Sequence, residues 1–412
     1  MMTISSQAKQ YIDAEEKYGA HNYHPLPVVL SRGKGCYVWD VDGKRYFDFL
    51  SAYSAVNQGH CHPKIVAALK AQAETLCITS RAFYNDALGP YEKLMHDYFG
   101  YDKMLPMNSG AEAVETALKL ARKWGYLKKG IPENESIIVA CEGNFHGRTI
   151  TIVSLSSDPE ARADYGPYTP GIAIIPYNNV AALSALLEEK ADAIAGFLVE
   201  PIQGEAGVNV PDEGYLKACY DQCKAHDVLF IADEVQTGIG RTGRMLCCDH
   251  EGVRPDIVIL GKALSGGTLP VSAVLADDEI MLTIKPGQHG STFGGSPLAC
   301  KVATAALEVV KEEKLAGNAE RLGHIFRDEL MKIKSPFILQ VRGKGLLNAI
   351  VIAPHDGKDA WDLCVKMAEN GLLAKPTHEH IIRFAPPLVI TEEELKEAID
   401  IIKKSIRSLE TN

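Results

Sequence analysis

The sequence has no long hydrophobic run. Its most apolar stretches are cut by Glu200, Asp233 or Lys262 well before the roughly 20 residues that a membrane-crossing helix needs. Positive charge is not in excess either. There are 43 Lys and Arg against 53 Asp and Glu, and a net charge of −10 gives no electrostatic reason to seek nucleic acid or an anionic membrane. No cysteine-dense framework is present: ten cysteines lie scattered through helical and strand-like patterns, which predicts free thiols in a reducing compartment. The opening MMTISSQAKQYIDAEEKYG lacks an apolar signal core and carries acids early, so a cytoplasmic protein is expected. Low-complexity linkers and internal repeats are also missing. His60-Cys61-His62 has no fourth ligand, and Pro63 begins a helical pattern directly after it, so a metal site is not expected there.

What is present is a chain built to fold. Hydrophobic residues make up 46% of its 412 residues, enough for a sizeable core, and the length suggests two domains. Residues 1–55 read as short strands and turns, with Asp42-Gly43 as a hairpin turn. From 56 to 305, helical patterns such as GAEAVETALKLARKWGYL alternate with short apolar runs: SIIVACEG, AIAGFLVEPI, VLFIADEV and PDIVILGKA. Strands buried on both faces have that composition, and their alternation with helices predicts an α/β domain with a largely parallel sheet. Residues 306–412 change to charged amphipathic helices plus LLNAIVIA and IIRFAPPL, a smaller α+β domain with which the N-terminal segment is expected to pack. The last helical pattern, EEELKEAIDIIKKSIRSLE, reads as one apolar and one solvated face.

Ligands of open α/β sheets collect at the carboxyl ends of the strands, and the chemistry-bearing residues fall there. Lys262 follows IVILG and precedes ALSGG; such a lysine caps a helix, pairs structurally, or is poised as an amine nucleophile. Asp233 ends VLFIAD, and a carboxylate there needs donors or a cation, for which a pyridinium nitrogen, an N-cap or a metal would each serve. In MNSGAEAVET, Ser109 is a good N-cap and Gly110 permits close approach to a helix start, where phosphate binds. Ser291 and Thr292 in HGSTFGGSP add hydroxyl donors. In NFHGRT, Phe145 could stack on a flat ring and Arg148 could grip a carboxylate. Cys219, Cys223, Cys247 and Cys248 read as buried, inert thiols.

Together these segments make the chain recognisable. NSGAEAVETALKLAR, NFHGRT, EPIQGEAG, FIADEVQTGIGRTG, PDIVILGKALSGG and HGSTFGGSPLAC resemble the class-III aminotransferases of fold type I. YGAHNYHPLP, SAYSAVNQGHCHPKI, TSRAFYN, RGKGLLNAIVI and NGLLAKPTHEHIIRFAPPLVI are similar to the branch that acts on ornithine. The resemblance implies a large domain with a mostly parallel seven-stranded sheet, pyridoxal 5'-phosphate as cofactor, and a homodimer. It implies that Lys262 bonds the cofactor and shuttles a proton, that Asp233 pairs with its ring nitrogen, and that Gln236 contacts its phenolic oxygen. Phe145 would stack on the ring. Ser109, Gly110 and Ala111 would lie at the phosphate, with Thr292 and Ser291 reaching in from the partner subunit. For L-ornithine and 2-oxoglutarate as alternating substrates, it implies that Arg148 holds the distal carboxylate and that Tyr23 and Tyr53 shape the distal end. Glu205 would mask Arg383 while ornithine is bound. N-acetylornithine or 4-aminobutyrate is the alternative substrate.

Overall fold

The computed structural model describes residues 4–355 and 357–410. The first element departs from the strands and turns expected before residue 55. Ser6–Tyr18 is a helix, capped by Ser5, whose hydroxyl accepts the Ala8 N–H at 3.0 Å. Only Ala8 of this helix is buried, so the sequence carries no apolar stripe to announce it. The expected strands follow as β1 (Leu30–Lys34), β2 (Tyr37–Asp40) and β3 (Arg45–Asp48), paired antiparallel. Asp42-Gly43 does turn the chain between β2 and β3. Gly43 takes φ +85°, and Asp40 Oδ1 accepts the Asp42 and Lys44 N–H groups at 3.0 and 2.8 Å.

The central sheet has seven strands: β4 (Lys103–Met107), β5 (Ile137–Cys141), β6 (Ile172–Ile175), β7 (Ile194–Val199), β8 (Leu229–Asp233), β9 (Ile257–Leu260) and β10 (Ser272–Ala276). Their spatial order is β4-β10-β9-β8-β7-β5-β6, and β10 alone runs against the others. Every residue of β7 to β10 is buried, which is why these strands appear in the sequence as unbroken apolar runs. One face is covered by the helix Gly110–Trp124, whose Val114, Ala117 and Ala121 pack with Ile138, Leu198 and Ile231. The other is covered by Val180–Lys190 and Tyr215–Ala225, whose Leu183, Leu187 and Leu216 pack with Val139, Phe197 and Phe230. The sheet between helices is the expected α/β architecture, and no described helix is long and apolar enough to cross a membrane.

The C-terminal region forms a second sheet, β11-β12-β15-β14, from β11 (Ile338–Lys344), β12 (Leu347–Ile352), β14 (Lys375–Thr377) and β15 (Ile381–Phe384). Before β14, β13 (Leu372–Leu373) pairs parallel with β3 and ties the N-terminal segment to this region. The closing helix Glu392–Glu410 buries Leu395, Ile399, Ile402 and Ile406 on one face, as its pattern requires. All ten cysteines are unpaired. Cys219, Cys223, Cys247 and Cys248 are buried, and burial pushes their thiols above the ordinary range. His60 Nε2 lies 2.7 Å from Asp48 Oδ2 and His62 Nε2 lies 2.9 Å from Glu313 Oε1.

Candidate active site

Three strands of the central sheet deliver side chains to one crevice. Beyond β9, Gly261 leads into Lys262, which stands in the left-handed region at φ +44°. A non-glycine residue held there is costly and marks a position fixed by its surroundings. Lys262 shares a cavity of about 200 Å³ with Gly110, Ala111, Phe145, Asp233 and Gln236. Burial lowers the Lys262 pKa, with the nearby Arg383 adding to the effect, so the neutral amine is more accessible than in water.

Asp233 closes β8. Its Oδ1 accepts the Val235 N–H at 3.1 Å, and its Oδ2 lies 2.6 Å from His146 Nδ1. Both side chains of this pair are buried. Burial alone would lower the His146 pKa, but the hydrogen bond and charge of Asp233 outweigh it and raise the value. Behind them sits Glu200, at the end of β7, accepting the Phe145 and Gly204 N–H groups at 2.8 and 3.3 Å. Burial pushes its carboxyl up to about 7. His146 Nε2 is buried without a partner among the described residues. On the far side begins the helix Gly110–Trp124, capped by Ser109. The Ser109 hydroxyl accepts from Glu112 N–H and the Ser109 N–H donates to Glu112 Oε2 at 2.7 Å. With Ser109 so engaged, the Gly110 and Ala111 amides stand at a helix start, where N–H groups have no intrahelical acceptor, and both residues line the cavity.

Pyridoxal phosphate fits this donor set. The crevice offers an amine, a carboxylate for a ring nitrogen, an aromatic wall at Phe145, and a helix start for a phosphate. Gln236 joins the cavity to a second cluster. Its Oε1 accepts from Arg383 at 3.0 Å and its Nε2 donates to Glu205 at 3.1 Å. Arg383, on β15, is 1% exposed and pairs with Glu205 at 2.8 Å. Burial would raise the Glu205 carboxyl, but the Arg383 guanidinium outweighs it and holds it below its ordinary value. The guanidinium carbon of Arg383 lies 5.0 Å from the centre of the Tyr53 ring.

Other expected residues lie outside the cavity lining. Tyr23 is 67% exposed, its ring 6.0 Å from Lys375 Nζ, and it lies close enough to Tyr53 to add to the rise in that phenol's pKa that burial begins. Arg148 is exposed, its guanidinium 5.5 Å from the Phe145 ring. Ser291 and Thr292 line a different cavity of about 740 Å³ with Arg81 and Pro106, and Ser291 accepts from Asn108 at 2.8 Å. Sequence reasoning passed over His146 and Glu200. Glu200 was detectable by the logic that found Asp233, an acid at the very end of a buried strand. Nothing in the sequence marked His146 beyond its place between Phe145 and Arg148.

Residues 18–406 match the family aminotransferase class-III. The mitochondrial ornithine aminotransferase of Rattus norvegicus is 61% identical over 402 residues, covering 97% of this chain and 91% of the rat protein. The ornithine aminotransferase structure from Toxoplasma gondii with partial occupancy of PLP at its active site has a TM-score of 0.96 at 50% identity, covering 98% of this chain and 95% of that one. An acetylornithine aminotransferase structure from Elizabethkingia anophelis has a TM-score of 0.89 at 60% identity, covering 97% and 99%. A match over nearly the whole length, with an amine, an acid and a helix start meeting at the strand ends, means that this chain belongs to the class-III aminotransferases, enzymes that depend on pyridoxal phosphate.

Proposed function

We propose that this enzyme transfers the δ-amino group of L-ornithine to 2-oxoglutarate, giving L-glutamate 5-semialdehyde and L-glutamate in two alternating half-reactions. The observation that carries the reading is the closed Glu205–Arg383 pair beside the cavity. Ornithine presents a δ-amine with its carboxylate far away, whereas 2-oxoglutarate has a carboxylate next to its reacting carbon. A permanently free arginine at that position would favour the wrong end of ornithine. An arginine neutralised by a glutamate that can swing aside serves both substrates, and it works as much by rejecting the wrong pose as by attracting the right one.

Bound pyridoxal phosphate supplies the carbonyl that takes up the amino group and the electron sink that loosens the neighbouring C–H bond. Lys262 Nζ, with its pKa lowered by burial, holds the cofactor and carries the proton between carbons. Asp233 would keep the ring nitrogen protonated, Phe145 would stack on the ring, Gln236 would contact the phenolic oxygen, and Gly110 and Ala111 would bind the phosphate. Arg148 grips the distal carboxylate, while Tyr23 and Tyr53 shape that end. The acting unit is a homodimer in which Thr292 and Ser291 of one copy serve the phosphate of the other. In support, Phe83, Tyr84 and Phe293, close in sequence to Arg81 and Thr292, are exposed aromatics of the kind that interfaces cover. Unpaired thiols suit the reducing cytoplasm, where we assign its action.

The test is the visible spectrum of the cofactor-loaded protein while L-ornithine is added without a keto acid. A yellow band that collapses supports the reading. Collapse with N-acetylornithine or 4-aminobutyrate alone would overturn the substrate, and absence of any band after adding cofactor would overturn the role of Lys262.

A further inference from the structure

The segment Ser51–Ser54 has a backbone that its sequence should avoid. Ser51, Ala52, Tyr53 and Ser54 have φ values of +50°, +46°, +60° and +72°, four consecutive left-handed residues without one glycine. The Ala55 N–H reaches back to Ser51 O at 2.8 Å and closes a left-handed helical turn. L-residues visit this region singly, because each Cβ crowds the following carbonyl. The turn also buries the Ser51 and Ser54 hydroxyls without a partner among the described residues. A locally unfavourable segment persists only where its surroundings over-determine it, and such segments gather at functional sites.

The surroundings can be named. Asp48, buried at the end of β3, accepts the Leu50 and Ser51 N–H groups at 2.9 and 2.8 Å through Oδ1, and its Oδ2 meets His60 Nε2 at 2.7 Å. One residue on, Phe49 O accepts the Ala385 N–H at 2.7 Å, two residues from Arg383 on the same strand run. The turn is thus fastened at its entry to the strand that carries Arg383. Its product is the Tyr53 ring set against the Arg383 guanidinium, at 5.0 Å.

We infer that Asp48 is a positioning residue: it locks the left-handed Ser51–Ser54 turn, which holds Tyr53 on Arg383 and so governs how readily the Glu205–Arg383 pair opens. This rests on the alternating-substrate reading for its consequence, but not for its geometry. The hydrogen bonds of Asp48 and of Phe49 with Ala385 hold the Tyr53 backbone in this conformation against its strain, where a right-handed turn would send the ring elsewhere. Ala52 is exposed, so its methyl contributes little burial, and glycine at this position would relax the turn without leaving a cavity.

The experiment uses the cofactor-loaded protein and two variants, Ala52→Gly and Asp48→Asn. Two readouts are taken: phenylglyoxal labelling of Arg383, followed by peptide mass spectrometry, and the ratio of L-ornithine to L-glutamate half-reaction rates. Ala52→Gly should keep its thermal midpoint or raise it, label Arg383 faster, and shift the ratio toward glutamate by about tenfold, the scale set by a single well-placed interaction between ring and guanidinium. Asp48→Asn should move both readouts the same way with a lower midpoint. A folded Ala52→Gly protein with unchanged labelling and unchanged ratio would overturn the inference, even if Asp48→Asn fails to fold. If the parent accepts neither amine, the substrate reading fails, and the labelling rate alone decides the role of the turn.

Discussion

His146 and Asp233 make a buried pair: their side chains are 0% and 5% exposed and their facing atoms 2.6 Å apart. Glu200 stands close enough to raise the His146 pKa further, so the imidazole serves two acids. Removing one partner of a buried pair leaves a charge without compensation and typically costs about 3 kcal/mol. His146→Phe should therefore destabilise the cofactor-free protein by about that amount. The loaded protein should lose less, because a protonated ring nitrogen gives Asp233 another cation. Thermal unfolding of both forms of parent and variant checks this, and an equal loss with and without cofactor would refute the coupling. Lys262 and Asp233 could be found in the sequence because strand ends impose a position on them. His146 could not, since its role arises only when the loop after β5 lies against β8.

The helix Gly110–Trp124, whose start is proposed to bind phosphate, owes the order of its first turn to its cap. Ser109 and Glu112 satisfy each other's amides, which fixes the first turn and leaves Gly110 and Ala111 free to serve the cavity. Ser109→Ala should cost about 1 kcal/mol of stability and weaken cofactor retention, measured as a lower thermal midpoint and faster cofactor loss on dilution. A midpoint that falls with retention unchanged would separate the cap from the phosphate site. Most elements were legible because their burial imposes a period: β7, β8 and β9 as apolar runs, Gly110–Trp124 and Glu392–Glu410 as apolar stripes. Where no such constraint acts, the pattern is silent. Ser6–Tyr18 buries one residue, β13 finds its partner β3 more than 300 positions away, and the Ser51–Ser54 turn contains no glycine to announce its left-handed backbone.

Across the whole molecule the folded state buries acids for which desolvation outweighs whatever compensates the charge. Glu234, directly after Asp233, is 0% exposed; its carboxylate accepts from the Thr237 hydroxyl and, at 2.8 Å, from the Cys248 N–H. Burial pushes it from the ordinary 4.5 up to about 7. Between those values the folded chain holds a proton that the unfolded chain has released, so stability falls as pH rises through this window and levels off above it. At about 1.4 kcal/mol per pH unit, the whole penalty is about 3 kcal/mol. Glu200 declines over the same window for the same first cause, burial, so the protein should be less stable at about pH 8 than at about pH 5. Glu234→Gln copies the protonated acid: its oxygen still accepts from Cys248 and its amide can donate to the Thr237 hydroxyl. The variant should match the parent at the acid end and lose about 3 kcal/mol less by the alkaline end. Thermal midpoints of the cofactor-free proteins across that range measure it. Parallel curves for parent and variant would mean that Glu234 stays ionised in the folded state, and that the two donors it accepts from are enough to hold the charge.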